Sequence, residues 1–183
     1  MLGWFTSKRF RSMTEYLKWS NRPITREFSY LQVDTVYIRV RKSSKRKVGT
    51  MIVIGITENG YKEVLHFTLG NESARHFDEV LRSLIRRGLN SGAIRLATTD
   101  GATAARSMAC LCKDREDLFR YFGFPDEYRK TIRNTSLIER VIREVRQRTK
   151  VMDSLNNEYG CYGILMGIVR EQNERWSMRS NWK

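Results

Sequence analysis

The sequence predicts an α/β fold, a mixed sheet of three antiparallel strands and one parallel strand packed by helices, with a helical C-terminal half. Three observations lead there. The apolar period becomes two from Leu31, two β-rich runs follow within residues 48–70, and helical spacing returns between residues 73 and 87. One more short apolar run, AIRLATT, then ends at Asp100-Gly101, and everything after it has helical spacing.

Each element has its own signature. SMTEYLKWS, residues 12–20, forms a short amphipathic helix that stops before Pro23. In the first strand Val33, Thr35, Tyr37 and Arg39 fall on one face, with Asp34, Val36, Ile38 and Val40 on the other. The basic stretch RKSSKRK, 41–47, reads as a hairpin connection. VGTMIVIGITENGYKEVLHFTLG is two β-rich runs joined at Asn59-Gly60, a strong short hairpin signal. Phe77, Val80, Leu81, Leu84 and Ile85 make one helical stripe, which Gly88 ends. Residues 135–150 and 158–176 are the two late helices, and in the second of them Gly163-x-x-x-Gly167 is expected to permit close packing in the core.

Composition narrows the function classes. The 183 residues fit one domain with a real core, and 34 basic against 20 acidic residues give a net charge of +14. Such a surplus suits a partner with a phosphate backbone or an anionic membrane surface. The start, MLGWFTSKRF, has no apolar run of signal-peptide length, and the longest apolar stretch, 159–169, is too short to span a bilayer. Cys110, Cys112 and Cys161 make an odd set with no C-x-x-C pair, so reduced thiols in a cytoplasm are expected. His66 and His76 form no metal or triad pattern. Trp4, Trp19, Trp176 and Trp182 lie outside the sheet region.

Three acids stand apart. Asp34 shares its strand face with Val36 and Ile38, where an unpaired charge is costly to bury. Asp100 ends the strand after the first crossover helix, at the kind of strand end where open sheets build sites. Glu139 sits in NTSLIERVIREVRQRT beside Ile138 and Ile142. Each has a bland reading as well: Asp34 as an exposed strand-start residue, Asp100 as a helix cap, Glu139 as partner of Ser136 in a capping box. Converging at one sheet edge, the three carboxylates could hold two hard divalent cations. Arg140, Arg143, Arg146, Arg148 and Lys150 either meet DNA phosphates or form a solvated face. The same choice applies to Arg41, Lys42, Lys45, Arg46 and Lys47.

The chain resembles the Mutator-type insertion-sequence DDE transposases. RPITREFSYLQVDTVYIRVR is similar to that family's first catalytic aspartate segment, LATTDGATAA to its second, and YRKTIRNTSLIERVIREVRQRTKV to the segment of its third acid. VIGITENGYKEVLHFTLGNESARHFDEVLRSLIRRGL and GIVREQNERW are similar to further blocks in the same order. The resemblance implies an RNase H-like domain over 30–176, with residues 1–29 as an N-terminal helix and linker and 177–183 as a tail. It implies that Asp34, Asp100 and Glu139 are catalytic, that they bind Mg²⁺ or Mn²⁺, and that element ends and target DNA are the substrates. A cytoplasmic, nucleoid-associated protein without membrane contact is expected, and a homodimer is an allowed assembly.

The chain also departs from the family pattern. Asp100 and Glu139 are only 39 positions apart, where the family carries a long helical insertion and a Cys-x-x-His motif. Ile142 stands where the family has an asparagine, and only residues 5–20 could correspond to its end-reading region. The expectation is therefore a shortened DDE transposase, with a catalytically inactive, nucleic-acid-binding remnant as the alternative. A basic RNA-associated structural protein, its acids serving as caps, is the reading from a different class.

Overall fold

A computed structural model describes residues 12–40, 46–70, 73–99, 136–151 and 158–178. Helix α1 (Ser12–Ser20) leads into strands β1 (Tyr30–Val40), β2 (Arg46–Ile56) and β3 (Lys62–Leu69). Helix α2 (Ala74–Arg86), a 3-10 turn (Ser91–Ala93) and strand β4 (Leu96–Thr99) follow, and the later described helices are α3 (Ser136–Val151) and α4 (Glu158–Met178). The four strands lie in the order β3-β2-β1-β4, the first three antiparallel and β4 parallel to β1. This is the mixed α/β sheet that the change of period predicts.

Burial follows the strand pattern. Along β1, Tyr30, Val36 and Ile38 pack with α1, α3 and α4, while Leu31 and Val33 pack with α2. The sheet is thus the middle of three layers. β2 is buried on both faces from Gly49 to Ile56, which is why MIVIGI reads as a continuous apolar run instead of an alternation. The β2–β3 turn differs in register from a two-residue Asn-Gly hairpin. Its bond runs from the Gly60 N–H to the Thr57 carbonyl, 3.0 Å, so Glu58 and Asn59 take the centre positions. Gly60 follows them at φ 79°, the pattern of a three-residue loop closed by a left-handed glycine.

Two sequence expectations shift in the helices. Ser73 caps α2 by accepting from the His76 N–H, and Phe77, Val80, Leu81 and Leu84 are buried, but Ile85 is 40% exposed at the rim of the stripe. Gly163 does not serve close packing: a Cβ there would meet nothing within 4 Å. Gly88, in contrast, is required. Its φ is 107°, and a Cβ would lie 2.8 Å from the Ile24 carbonyl oxygen.

A bulge in β3 falls at Leu65, because Val53 pairs with His66 while Ile54 pairs with Val64. Val64 and Phe67 therefore both join the helical layer, and Leu65 turns to α2. β3 is an edge strand, and side chains satisfy its outer backbone. Arg22 donates to the carbonyls of Val64 (2.9 Å) and Leu65 (3.2 Å) and to Glu63 (2.7 Å). Arg87 also reaches Leu65, and Asn173 both donates to and accepts from Val64.

Burial beside these guanidiniums holds His66 down to a pKa of about 4, with Arg87, Arg22 and His76 adding repulsion. Burial likewise lowers Arg87 to about 10. Since an unfolded histidine titrates near 6.5, the unfolded chain binds more protons between pH 4 and 6.5. His66 should therefore contribute its full stability above about pH 6.5 and lose on the order of 3 kcal/mol as the pH falls toward 4. Urea midpoints measured across this range test it, and His66→Gln should flatten the profile.

Candidate active site and nucleic-acid interface

The alternation of β1 puts Asp34 on the face that carries Val36 and Ile38, the one covered by α3 and α4. The carboxylate is half-buried, and its Oδ1 accepts from the Thr35 N–H at 2.6 Å. Polar neighbours interrupt the apolar layer here. Gln32, two residues earlier on the same face, is buried and pairs in register with Thr98. Thr50, fully buried on β2, lies opposite Val36. The hydroxyls of Thr50 and Thr98 are buried without a hydrogen-bond partner among the described residues. The sequence pattern did not single out these three residues, although a Gln and two Thr at inward positions of otherwise apolar strands are a readable signal.

The covering helix explains Glu139. In α3, Leu137, Ile138, Val141, Ile142 and Val145 are buried, so Ile142 is a core residue. Glu139 lies in the first turn and is exposed, with Arg140, Arg143 and Arg146 also exposed. A first-turn carboxylate also opposes the positive end of the helix dipole. Helix α3 packs on β1, so the helix bearing Glu139 lies on Asp34's side of the sheet.

Asp100 lies outside the described residues, as do Arg41, Lys42, Lys45, Cys110 and Cys112. Arg46 and Lys150 lie on described backbone only. The parallel β1–β4 ladder ends at Val33 opposite Thr99, the residues that immediately precede Asp34 and Asp100. Among the described residues no three His, Cys, Asp or Glu side chains gather as a metal site.

The basic residues divide. Lys47 is exposed, like the three α3 arginines. Arg148 is different: it bonds Glu144 at 3.3 Å and Glu171 of α4 at 2.6 Å. Partial burial pushes the Glu171 carboxyl up, but Arg148 and Arg175 outweigh it and hold the group below its ordinary value. Arg148 thus ties α3 to α4, and its charge is engaged within the fold.

A groove of about 730 Å³ opens at the end of the sheet where β1 and β4 begin. Arg26 in its wall lies 4.1 Å over the Tyr61 ring, and Arg95 pairs with Glu58. Neither Asp34 nor Glu139 lines it, and both of its arginines are already engaged. No helix among the described residues is long and apolar enough to cross a membrane.

An α/β domain with an acid on a central strand, beneath a helix with a basic outer face, is the class that these features define. The chain belongs to the Mutator family of transposases, which matches residues 7–105 and 102–179. The two stretches overlap at residues 102–105, between Asp100 and Glu139. It is 24% identical over 136 residues to the transposase for insertion sequence element ISRM5 of Rhizobium meliloti (strain 1021), covering 70% of this chain and 34% of that protein. It is 29% identical over 87 residues to the transposase for insertion sequence element IS1201 of Lactobacillus helveticus, covering 47% and 23% respectively. The chain spans about a quarter to a third of the length of these relatives.

Proposed function

We propose that this chain is the catalytic part of a DDE transposase that cleaves DNA strands and transfers them during movement of an insertion sequence. The observation that carries the reading is the β1–β4 ladder. At its end Val33 pairs with Thr99, the residues that precede Asp34 and Asp100 in sequence, and Asp34 lies on the face covered by the helix that bears Glu139. Sheet order and the single parallel pair are consistent with an RNase H-like domain.

Carboxylate oxygens such as those of Asp34 are hard donors, suited to Mg²⁺ or Mn²⁺. When bound, such ions would activate a water or a 3′-hydroxyl and stabilise the leaving oxygen of an in-line displacement. The chain's own contribution is placement. β1 fixes Asp34, half-buried, on a rigid strand, and α3 carries Glu139 on the same side of the sheet. Arg140, Arg143 and Arg146 would hold DNA phosphates, since these three charges are exposed on one helix. Arg148 is left out of that role because its guanidinium is bonded to Glu144 and Glu171.

The interface has a direct test. Duplex affinity should fall with salt at a log–log slope of about −0.9 per phosphate neutralised, and Arg143→Ala with Arg146→Ala should make that slope shallower by about 1 to 2. A double mutant with the wild-type slope would put the duplex surface elsewhere. The catalytic reading is tested by nicking of supercoiled plasmid in Mg²⁺. Binding without nicking would favour the second reading, a remnant that only binds nucleic acid. The short interval between Asp100 and Glu139 is the observation on that side.

A further inference from the structure

Helix α3 is buried along one side and bare along the other. At about 100° per residue, Leu137, Ile138, Val141, Ile142 and Val145 close its inner face, and the direction opposite to them falls between Arg143 and Gln147. Arg140 lies on one flank of this ridge and Arg146 on the other. All four side chains are exposed. Among the described residues none of them makes a side-chain hydrogen bond or ion pair. The ion pairs of α3 are made by Glu144 and Arg148, which reach Glu171 and Arg175 of α4 on the side of Arg140. Arginines spaced three apart repel one another along the ridge, and a polyanion would offset that repulsion.

Gln147 differs in kind from its neighbours. It lies one turn beyond Arg143, between the rows of Arg140 and Arg143. A neutral amide adds no charge to a phosphate-holding surface, but it offers an acceptor and donors in one plane. That pattern matches the N7 acceptor and N6 donor of adenine in the major groove of B-DNA, which is wide enough to admit a helix. We propose that Gln147 reads an adenine in the major groove of duplex DNA, while the arginines around it hold the phosphates. Phosphate contacts fix register without carrying sequence, so an amide among them gives the surface a preference that the cations alone lack. The major groove of duplex RNA is too deep and narrow for the same contact. The inference rests on the reading of α3 as the duplex surface and is independent of the three acids.

The test is selection from a randomised duplex library by the full chain. Anisotropy then compares the selected site with the same site carrying G·C in place of its A·T pair. Wild type should prefer A·T at one position by about tenfold. Gln147→Ala should cut that preference to less than about twofold and leave the salt slope as it was, since no charge is lost. Gln147→Arg should move the preference to G·C, because a guanidinium pairs with O6 and N7 of guanine. Both substitutions are on an exposed helical face and keep good helix formers, so urea midpoints should stay near that of wild type. A wild type that selects no base overturns the proposal, as does a Gln147→Ala protein that keeps the preference. Tighter binding of duplex RNA than of duplex DNA overturns it too. If Arg143→Ala with Arg146→Ala leaves the salt slope unchanged, the α3 surface itself fails. A shallower slope in that double mutant, with no effect of Gln147→Ala on preference, removes the base contact alone.

Discussion

Asp100→Asn is expected to abolish Mg²⁺- or Mn²⁺-dependent nicking of supercoiled plasmid, by on the order of a thousandfold or more, while duplex binding is kept or strengthened. Asparagine keeps the volume and one oxygen but loses the charge that would hold a divalent cation at the reacting phosphate. The same change removes repulsion between the carboxylate and the DNA backbone, which is why affinity should not fall. Geometry sets the wild-type rate. The segment from 101 to 138 must connect two of the three acids, and a misplacement of about 1 Å at a reacting centre can lower the rate on the order of a hundredfold. Equal nicking by wild type and Asp100→Asn would trace the activity to a contaminant and remove the triad assignment. No nicking by either protein, with binding retained, would identify a relic.

Phe67→Ala is expected to lower stability by about 3–5 kcal/mol, read as a lower urea midpoint at unchanged m. Phe67 is fully buried, and its ring lies 5.0 Å from Tyr16, 5.1 Å from Trp19 and 6.1 Å from Tyr162. Those three residues belong to α1 and α4, so one side chain of the edge strand joins two helices to the sheet. The backbone link would survive, since the Tyr16 hydroxyl donates to the Phe67 carbonyl at 2.8 Å. Burial holds that phenol at a pKa of about 12. The cavity would thus open between layers that remain tethered, with little scope for collapse. Ile85→Ala, on the exposed rim of α2, should cost less than about 1 kcal/mol. A Phe67→Ala loss no larger than that of Ile85→Ala would mean the aromatic nest does not join the layers.

Much of the scaffold was legible because its signals are local. Period-two spacing in β1, the continuous apolar run of β2 and the stripe of α2 each reflect which faces of one element are buried. The left-handed conformations at Gly60 and Gly88 are likewise local needs that glycine meets without strain. The acids could be named from their positions on elements, and Asp34 falls on the predicted strand face because alternation alone decides that. Resemblance to a family, more than spacing, linked the three into one candidate site.

What the chain could not declare depends on residues far apart in sequence. Arg148 reads as a DNA-facing cation until α4 brings Glu171 against it, 23 positions away. Arg22 and Arg87 look like surface charges, yet the unpaired edge of β3 draws both inward to its carbonyls. Ile85 and Gly163 looked like packing positions, and only the place of the neighbouring layers left them uncovered. The sequence by itself determined the elements, their apolar faces and the surplus of positive charge, because these follow from the order of side chains along one strand or helix. The tertiary structure alone decided which charges are engaged and which polar groups are buried on Asp34's face of the sheet, because each depends on what another part of the chain brings into contact.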